Sequence, residues 1–171
     1  MAARFRYPIK RSPKSDPQQY RVYRLEAEAI GARQYTKMTH AGIRMLVRSV
    51  CRNYRVPQAK VVWTDLGKWA AEWDNGTIRF NTKKGTASDV LTVTHELAHH
   101  VHYWLSGEDD VKEAHGPEFM ACHMSILDTC RVIPVVGMRE ICKAWGVRFA
   151  DPGLGNSLEK LRKICSGRNS A

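Results

Sequence analysis

The sequence lacks paired cysteine motifs. Its five cysteines are an odd number, and no two of them stand as Cys-x-x-Cys. The sequence therefore suggests neither a disulfide framework nor a four-cysteine zinc ribbon. Cys122 and Cys130 lie at helical spacing among apolar residues, which predicts reduced cysteines in a core. We therefore expect a reducing, cytoplasmic compartment.

Long hydrophobic runs are also missing. Apolar stretches are short and interrupted, as at 61–63, whereas a membrane-spanning helix needs about 20 apolar residues. The beginning of the chain is basic and has no apolar segment of the kind that directs secretion. We expect no membrane partner and no export. A length of 171 residues suits one monomeric domain with its own core.

Acidic residues are scarce relative to basic ones. The chain has 17 Asp and Glu against 27 Lys and Arg, a net charge of +10. Residues 1–24 hold seven of the basic groups and one acid, Asp16. Such a balance predicts a polyanion partner, most often nucleic acid. The candidate nucleic-acid-binding residues are Arg4, Arg6, Lys10, Arg11 and Lys14. A solvated tail that only aids solubility is the alternative.

Periodicity predicts one α+β domain at 16–150, after a flexible basic arm at 1–15 and before a basic C-terminal segment at 151–171. Predicted helices cover about 16–30, 39–54, 88–105, 117–130 and 137–145, and predicted strands cover 60–64, 68–73 and 77–81. Asp16 is the expected N-cap of the first helix, and 86–89 resembles a capping box. The Asp74-Asn75-Gly76 turn predicts a hairpin, and hence a small antiparallel sheet. The exposed edge of 77–81 is a candidate site for an extended substrate.

The chemistry is concentrated in the helix predicted at 88–105. His95-Glu96-Leu97-Ala98-His99 is an H-E-x-x-H sequence. Residues four apart project from one helix face, so His95 and His99 can bind one metal ion. Glu96 is displaced by about 100° around the helix and can accept a proton from the attacking water. This pattern predicts a zinc metallopeptidase.

The third metal ligand has several candidates. His102 completes a stripe with His95 and His99, but its Cα lies about 10.5 Å along the axis from that of His95, too far for easy convergence. The metzincin pattern would need Gly at 102 and His at 105, which this chain lacks. Glu113, Glu118 and His115 remain open, with His115 best placed in the loop before the next helix. His123, inside that helix, is more typical of a structural histidine.

The combination of His95–His99 with His115-Gly116-Pro117-Glu118-Phe119 resembles the SprT-like metalloproteases, which include Spartan-type DNA–protein crosslink proteases. The segment 73–81 is similar to the strand that precedes their active-site helix, and the resemblance covers about residues 39–145. It implies a zincin-like core with an H-E-x-x-H active-site helix, Zn²⁺ held by His95, His99 and His115, and Glu96 as general base. We recognise in these residues neither the cysteine zinc ribbon of the bacterial type nor a separate partner-binding tail, so we expect any DNA binding to come from the core and the basic arm.

The resemblance implies a protein substrate that is bound or crosslinked to DNA, with single-stranded or branched DNA as a partner and, in a bacterial cell, association with the nucleoid. Two alternatives stay open. One is a basic nucleic-acid-binding or assembly protein with a structural zinc. The other is a processing metallopeptidase with no DNA role.

Overall fold

The computed structural model describes residues 16–30, 37–107, 113–153 and 158–166. Over these residues the chain is an α+β fold with six α-helices and one three-stranded sheet. The basic arm predicted at 1–15 lies outside the described residues, and the predicted segment 151–171 is described only in part. None of the described helices is long and apolar enough to cross a membrane.

The helices follow the apolar periodicity closely. Their bounds are α1 Gln19–Arg24, which continues as a π-helical segment Leu25–Ile30, α2 His40–Tyr54, α3 Val90–Ser106, α4 Pro117–Thr129, α5 Val135–Ala144 and α6 Leu158–Cys165. Helix α2 begins after Thr39, whose hydroxyl accepts a hydrogen bond from the N–H of Gly42. The five predicted helices are therefore present, and α6 is additional.

The sheet is mixed, so the predicted antiparallel sheet is wrong in one of its two pairings. Strands β1 (Lys60–Thr64), β2 (Ala71–Asp74) and β3 (Thr77–Asn81) are ordered β1-β3-β2. The hairpin turn is confirmed: Asn75 and Gly76 have positive φ angles and join β2 to β3 in antiparallel pairing. Strand β1 pairs with β3 in parallel. Because β3 is central, the predicted substrate-binding edge at 77–81 is also wrong.

Two predicted helix caps are wrong as well. Residues Gly85–Ser88 form a 3₁₀ turn, and Asp89 occupies the N-cap position of α3 without a side-chain capping bond. Gln18, not Asp16, precedes α1. The carboxylate of Asp16 is instead hydrogen-bonded to His115, 99 residues away. A buried histidine outcompetes the local backbone as its partner because that bond is shielded from water.

Helix α3 is the central element of the fold. It packs against α2, α4, α6 and β2. Apolar side chains Val93, Leu97 and Val101 point from it into the core, where they are fully buried. Removing that area from water stabilises the fold by roughly 1.5–3 kcal/mol per side chain. The packing on both sides of α3 fixes the direction in which its remaining, polar face points.

Candidate metal centre

The polar face of α3 carries two histidines one turn apart. His95 is buried and His99 is half-buried. Their Nε2 atoms lie 3.1 Å from each other, so both rings point to one place. Glu96 follows His95 on the helix and is also buried.

His115 approaches the same place from the turn that precedes α4. Its Nε2 lies 3.2 Å from Nε2 of His95. Gly116 makes this approach possible, since a Cβ there would stand 2.9 Å from Cβ of Glu113. Pro117 at the first position of α4 then starts the helix. The His-Gly-Pro sequence thus delivers one imidazole at the end of a tight turn.

His95, His99 and His115 together could hold a metal ion, since their ligand atoms all lie within 4.8 Å of one another. Nitrogen ligands about 2.0–2.1 Å from a tetrahedral ion stand roughly 3.3 Å apart. The observed separations of 3.1 and 3.2 Å are close to that value. Within the described part of the chain this group has three members, which leaves a fourth position open.

Two buried carboxylates orient two of these imidazoles. Oε1 of Glu26 lies 2.7 Å from Nδ1 of His95, and the carboxylate of Asp16 is hydrogen-bonded to Nδ1 of His115. A carboxylate accepts hydrogen bonds, so each Nδ1 carries the proton and each Nε2 presents its lone pair. Two lone pairs facing each other at 3.2 Å repel unless a cation lies between them. This donor arrangement therefore fits a metal ion.

The segment 16–30 holds the third histidine in place through further contacts. Nε2 of the buried Gln18 donates to the carbonyl oxygens of His115 and Arg148, and the N–H of Arg148 donates to Oε1 of Gln18. The ring of Tyr23 packs against the rings of His95 and His115, with centroids 5.5 and 5.0 Å apart. The segment 16–30 therefore holds His95 and His115, two of the three histidines, in position.

The histidines are held in the neutral form that a metal ion requires. Burial lowers the pKa of His95 to about 3. Burial and the nearby histidines lower the pKa of His99 well below its usual range, and burial lowers the pKa of His115. At neutral pH all three rings are therefore neutral, the form that binds a metal ion.

Glu96 has an environment unlike that of a surface glutamate. Burial, together with the negative charges of Glu26 and Glu72, raises its pKa to about 8. The backbone N–H of Trp73 in β2 donates a hydrogen bond to the carboxylate and partly opposes this shift. A carboxyl whose pKa lies near neutral is able both to take and to return a proton.

The centre opens into a cleft of about 400 Å³. One wall is the segment from Trp69 to Trp73, which includes the edge strand β2, and the other wall comes from α1 and the turn before α4. The lining residues that belong to no metal-binding group are Gln19, Tyr23, Trp69, Ala71, Glu72, Trp73, Glu96, His102, Tyr103 and Ala114. Trp69 and Trp73 thus belong to this cleft, while Trp63 is half-buried at the edge of the core.

The other histidines have different environments. His102 lines the cleft but does not belong to the converging group. His100 accepts a hydrogen bond from Nε1 of Trp73 at 3.2 Å, and its Nε2 donates to the carbonyl oxygen of Pro57 at 2.8 Å. It thereby joins β2 to α3. His100 is a structural residue.

The two glutamates that competed for the third-ligand position lie elsewhere. The carboxylate of Glu113 forms an ion pair with Arg148 at 2.6 Å. Glu118 belongs to none of the groups that could hold a metal ion. Of the downstream candidates, the structure brings His115 to His95 and His99.

A second group of possible ligands consists of Glu26, His95 and His123. It uses His95 through the nitrogen that already faces Glu26, and all three residues are buried. Neither Glu26 nor His123 lines the cleft. Nδ1 of His123 lies 3.4 Å from Oε1 of Glu26 without a hydrogen bond. The group of His95, His99 and His115, which lines the cleft, is therefore the better candidate for catalysis. Glu26 supports this group through its contact with His95.

Sequence reasoning missed the supporting residues of the segment 16–30. One signal was available: Glu26 shares a helix face with Val22, Leu25 and Ile30, all of them buried. A carboxylate on an apolar face needs a partner, which is a reason to expect a site. The five predicted nucleic-acid-binding residues lie in the arm, outside the described residues.

No protein-family model, curated protein or solved structure matches this chain, so its function has to be argued from the geometry of this centre.

Proposed function

We propose that this protein is a zinc-dependent endopeptidase of the SprT-like type, with a zincin-like core, that cleaves proteins bound or crosslinked to DNA. Three imidazole nitrogens that converge at the floor of an open cleft, with a buried carboxylate beside them, support this proposal. His95, His99 and His115 would hold the ion. A zinc site that keeps one position free of protein ligands is typical of catalysis rather than of structure.

When bound, the zinc ion would act as a Lewis acid toward the scissile carbonyl and the attacking water, and its charge would lower the pKa of Glu96. Glu96 accepts a proton from that water at its carboxylate and later delivers it to the leaving amine. The hydrogen bond from the N–H of Trp73 keeps the carboxylate directed into the cleft. Asp16 and Glu26 hold His115 and His95 at Nδ1 throughout.

Strand β2 replaces β3 as the element that binds an extended substrate. It lies at the edge of the sheet, and Ala71, Glu72 and Trp73 line the cleft. An edge strand can pair with a peptide through backbone hydrogen bonds. A peptide held there would place a carbonyl group between Glu96 and the histidines.

Tyr23 is the better of two phenols that could donate a hydrogen bond to the carbonyl oxygen as it gains charge. Its ring contacts two of the three histidine rings, and burial raises its pKa, so the donor proton is kept. The other phenol, Tyr103, lines the cleft but packs against Trp73 and Trp104 instead. Only Tyr23 stands beside the metal centre.

Replacing Tyr23 with Phe is expected to lower kcat by about 100-fold with KM little changed, because loss of one such donor costs roughly 10²–10³ in kcat. Peptide hydrolysis and bound zinc are measured on the same preparations. Tyr103→Phe removes a phenol from the same cleft and serves as the matched control. A larger loss of kcat from Tyr103→Phe than from Tyr23→Phe would indicate that Tyr103, and not Tyr23, donates the hydrogen bond to the carbonyl oxygen.

The choice of a DNA-bound substrate is supported by the net charge of +10. The open cleft disfavours the alternative of a structural zinc in an assembly protein. The other alternative, a processing peptidase without a DNA role, would use the same zinc site and would differ from the proposed enzyme only in its binding partner. Exposed basic side chains among the described residues also favour a polyanionic partner.

Metal analysis together with a cleavage assay tests the proposed function. We expect about one zinc per chain, cleavage of casein or histone, loss of cleavage with a chelator, and recovery on adding zinc. Single-stranded DNA should accelerate cleavage of a DNA-binding substrate such as histone. Zinc that is bound without any hydrolysis would favour the structural alternative, and hydrolysis that is indifferent to DNA would favour the processing peptidase.

A further inference from the structure

One long stretch of the described chain has no acidic residue. Between residues 37 and 64 the sequence contains six Lys and Arg and no Asp or Glu. All six side chains are exposed. The whole chain has 27 Lys and Arg against 17 Asp and Glu, so this stretch is more strongly basic than the average.

Helix α2 arranges most of these charges in a line. Arg44, Arg48 and Arg52 follow one another at four-residue intervals, and Arg55 caps the end of the helix. Each interval advances about 6 Å along the axis and turns only about 40°, so the three guanidinium groups share one face. We call Arg44, Arg48, Arg52 and Arg55 the arginine stripe.

The stripe is not neutralised within the described part of the chain. No ion pair involves any of its four arginines, whereas Arg24, Arg79, Arg139 and Arg148 all pair with carboxylates. The guanidinium of Arg44 lies 4.7 Å above the ring of Trp63, which holds this side chain in place. Four arginines kept exposed side by side repel one another, and a bound polyanion relieves that repulsion.

The stripe leads to a second cleft, of about 330 Å³, distinct from the cleft at the candidate metal centre. Arg55 and Arg162 supply charge to its lining, and Trp104 supplies an aromatic ring. Nε1 of Trp104 is buried and has no hydrogen-bond partner. Apolar walls with two guanidinium groups suit a flat, polar ring flanked by phosphates.

We propose that the arginine stripe of α2, together with the cleft of Arg55, Arg162 and Trp104, binds single-stranded nucleic acid along its phosphate backbone. This deepens the proposed function, on which the choice of a nucleic acid rests. The guanidinium groups contact successive phosphates, and the cleft accepts a base. Binding there leaves the catalytic cleft open, because none of these residues lines it.

An anionic membrane fits this face less well. The apolar side of α2 is buried in the core through Ile43, Val47 and Val50. Apart from Met45, the exposed face offers polar or small groups such as Ser49 and Asn53. Membrane-surface helices need an apolar face to insert between lipids. Arginine is well suited to phosphates because its planar fork matches their geometry.

The test uses the full chain, a fluorescent single-stranded oligonucleotide and the double variant Arg48→Gln/Arg52→Gln. Each phosphate contact contributes about 0.7 to the slope of log K against log salt for single strands. Losing two contacts should reduce the slope by about one unit or more and weaken binding on the order of ten-fold near 0.1 M salt. Arg55→Gln/Arg162→Gln should weaken binding of the same oligonucleotide. Circular dichroism and zinc content show that each variant is folded.

Lys83→Gln/Lys143→Gln is the matched control, because it removes the same charge from exposed lysines that are paired with Asp65 and Glu140. It should bind as the wild type does. Deletion of residues 1–15 is measured beside it. The proposal is overturned if the stripe variant binds like the control while the deletion abolishes binding, if duplex binds more tightly than single strand, or if only anionic vesicles show dependence on the stripe. Because binding is measured directly, an inactive peptidase would leave this result interpretable.

Discussion

Glu96→Gln is expected to bind about one zinc per chain and to lose at least 10²–10⁴-fold in kcat, the contribution typical of a general base. The amide has nearly the same shape as the carboxylate, so the three histidines and their supporting carboxylates stay in place. It cannot accept a proton from water, however. Hydrolysis of a peptide and zinc content, measured on one preparation, check both halves of this expectation.

The matched control is Glu118→Gln, the same chemical change at a carboxylate that lies outside the cleft lining and outside the metal-binding groups. It should retain both zinc and turnover. If Glu96→Gln hydrolyses peptide as fast as the wild type, Glu96 is not the base, and the proposed mechanism is wrong.

His115→Ala is expected to lower zinc affinity as severely as His99→Ala, by well over 100-fold. Loss of a group that only supports a ligand already costs about 10–100-fold. The reason is the position of its Nε2, 3.2 Å from that of His95, with Nδ1 held by Asp16. Competition with a chromogenic chelator gives the affinities.

Two further histidines serve as controls for that measurement. His102→Ala should keep zinc, because His102 does not belong to either group that could hold an ion. His123→Ala distinguishes zinc binding by His95, His99 and His115 from zinc binding by Glu26, His95 and His123. If His123→Ala loses zinc and His115→Ala does not, the ion is bound by Glu26, His95 and His123 instead.

Local patterns were sufficient to predict most of the secondary structure. The apolar residues of α2 and α3 recur with the helical period, and the strand at 77–81 was predicted with the bounds that the structure gives it. The Asn75-Gly76 turn needs positive φ angles that few other residue pairs adopt. Each of these features depends on neighbours in the sequence, which is why the sequence alone reveals them.

Tertiary choices could not be predicted in the same way. The β-branched and aromatic residues of β1 indicate a strand but not its direction, and the structure pairs β1 in parallel with β3. Asp16 is chemically able to cap a helix, yet it binds a histidine 99 residues away. Total charge also does not show how the charge is distributed among the helices. Beyond residue 24 the chain has 20 basic and 16 acidic residues, a near balance that gives no sign of the arginine-rich α2.

The convergence of His95, His99 and His115 was predictable, but the residues that support them were not. Spacing on α3 determined that His95 and His99 face one place, and the loop before α4 made His115 the best-placed third residue. Glu26 and Asp16 act through contacts across 69 and 99 residues, for which no local pattern exists. Their separation in sequence has a consequence of its own.

During biosynthesis the segment 16–30 emerges long before its partners do. The side-chain amide of Gln18 can form all of its hydrogen bonds only after Arg148, 130 residues later, has been synthesised. Closing such long loops costs entropy that only the finished core can offset. A chain that ends before Arg148 therefore contains the H-E-x-x-H helix before the contacts of Gln18 are complete. We expect metal binding to reach its full strength only when the fold is complete.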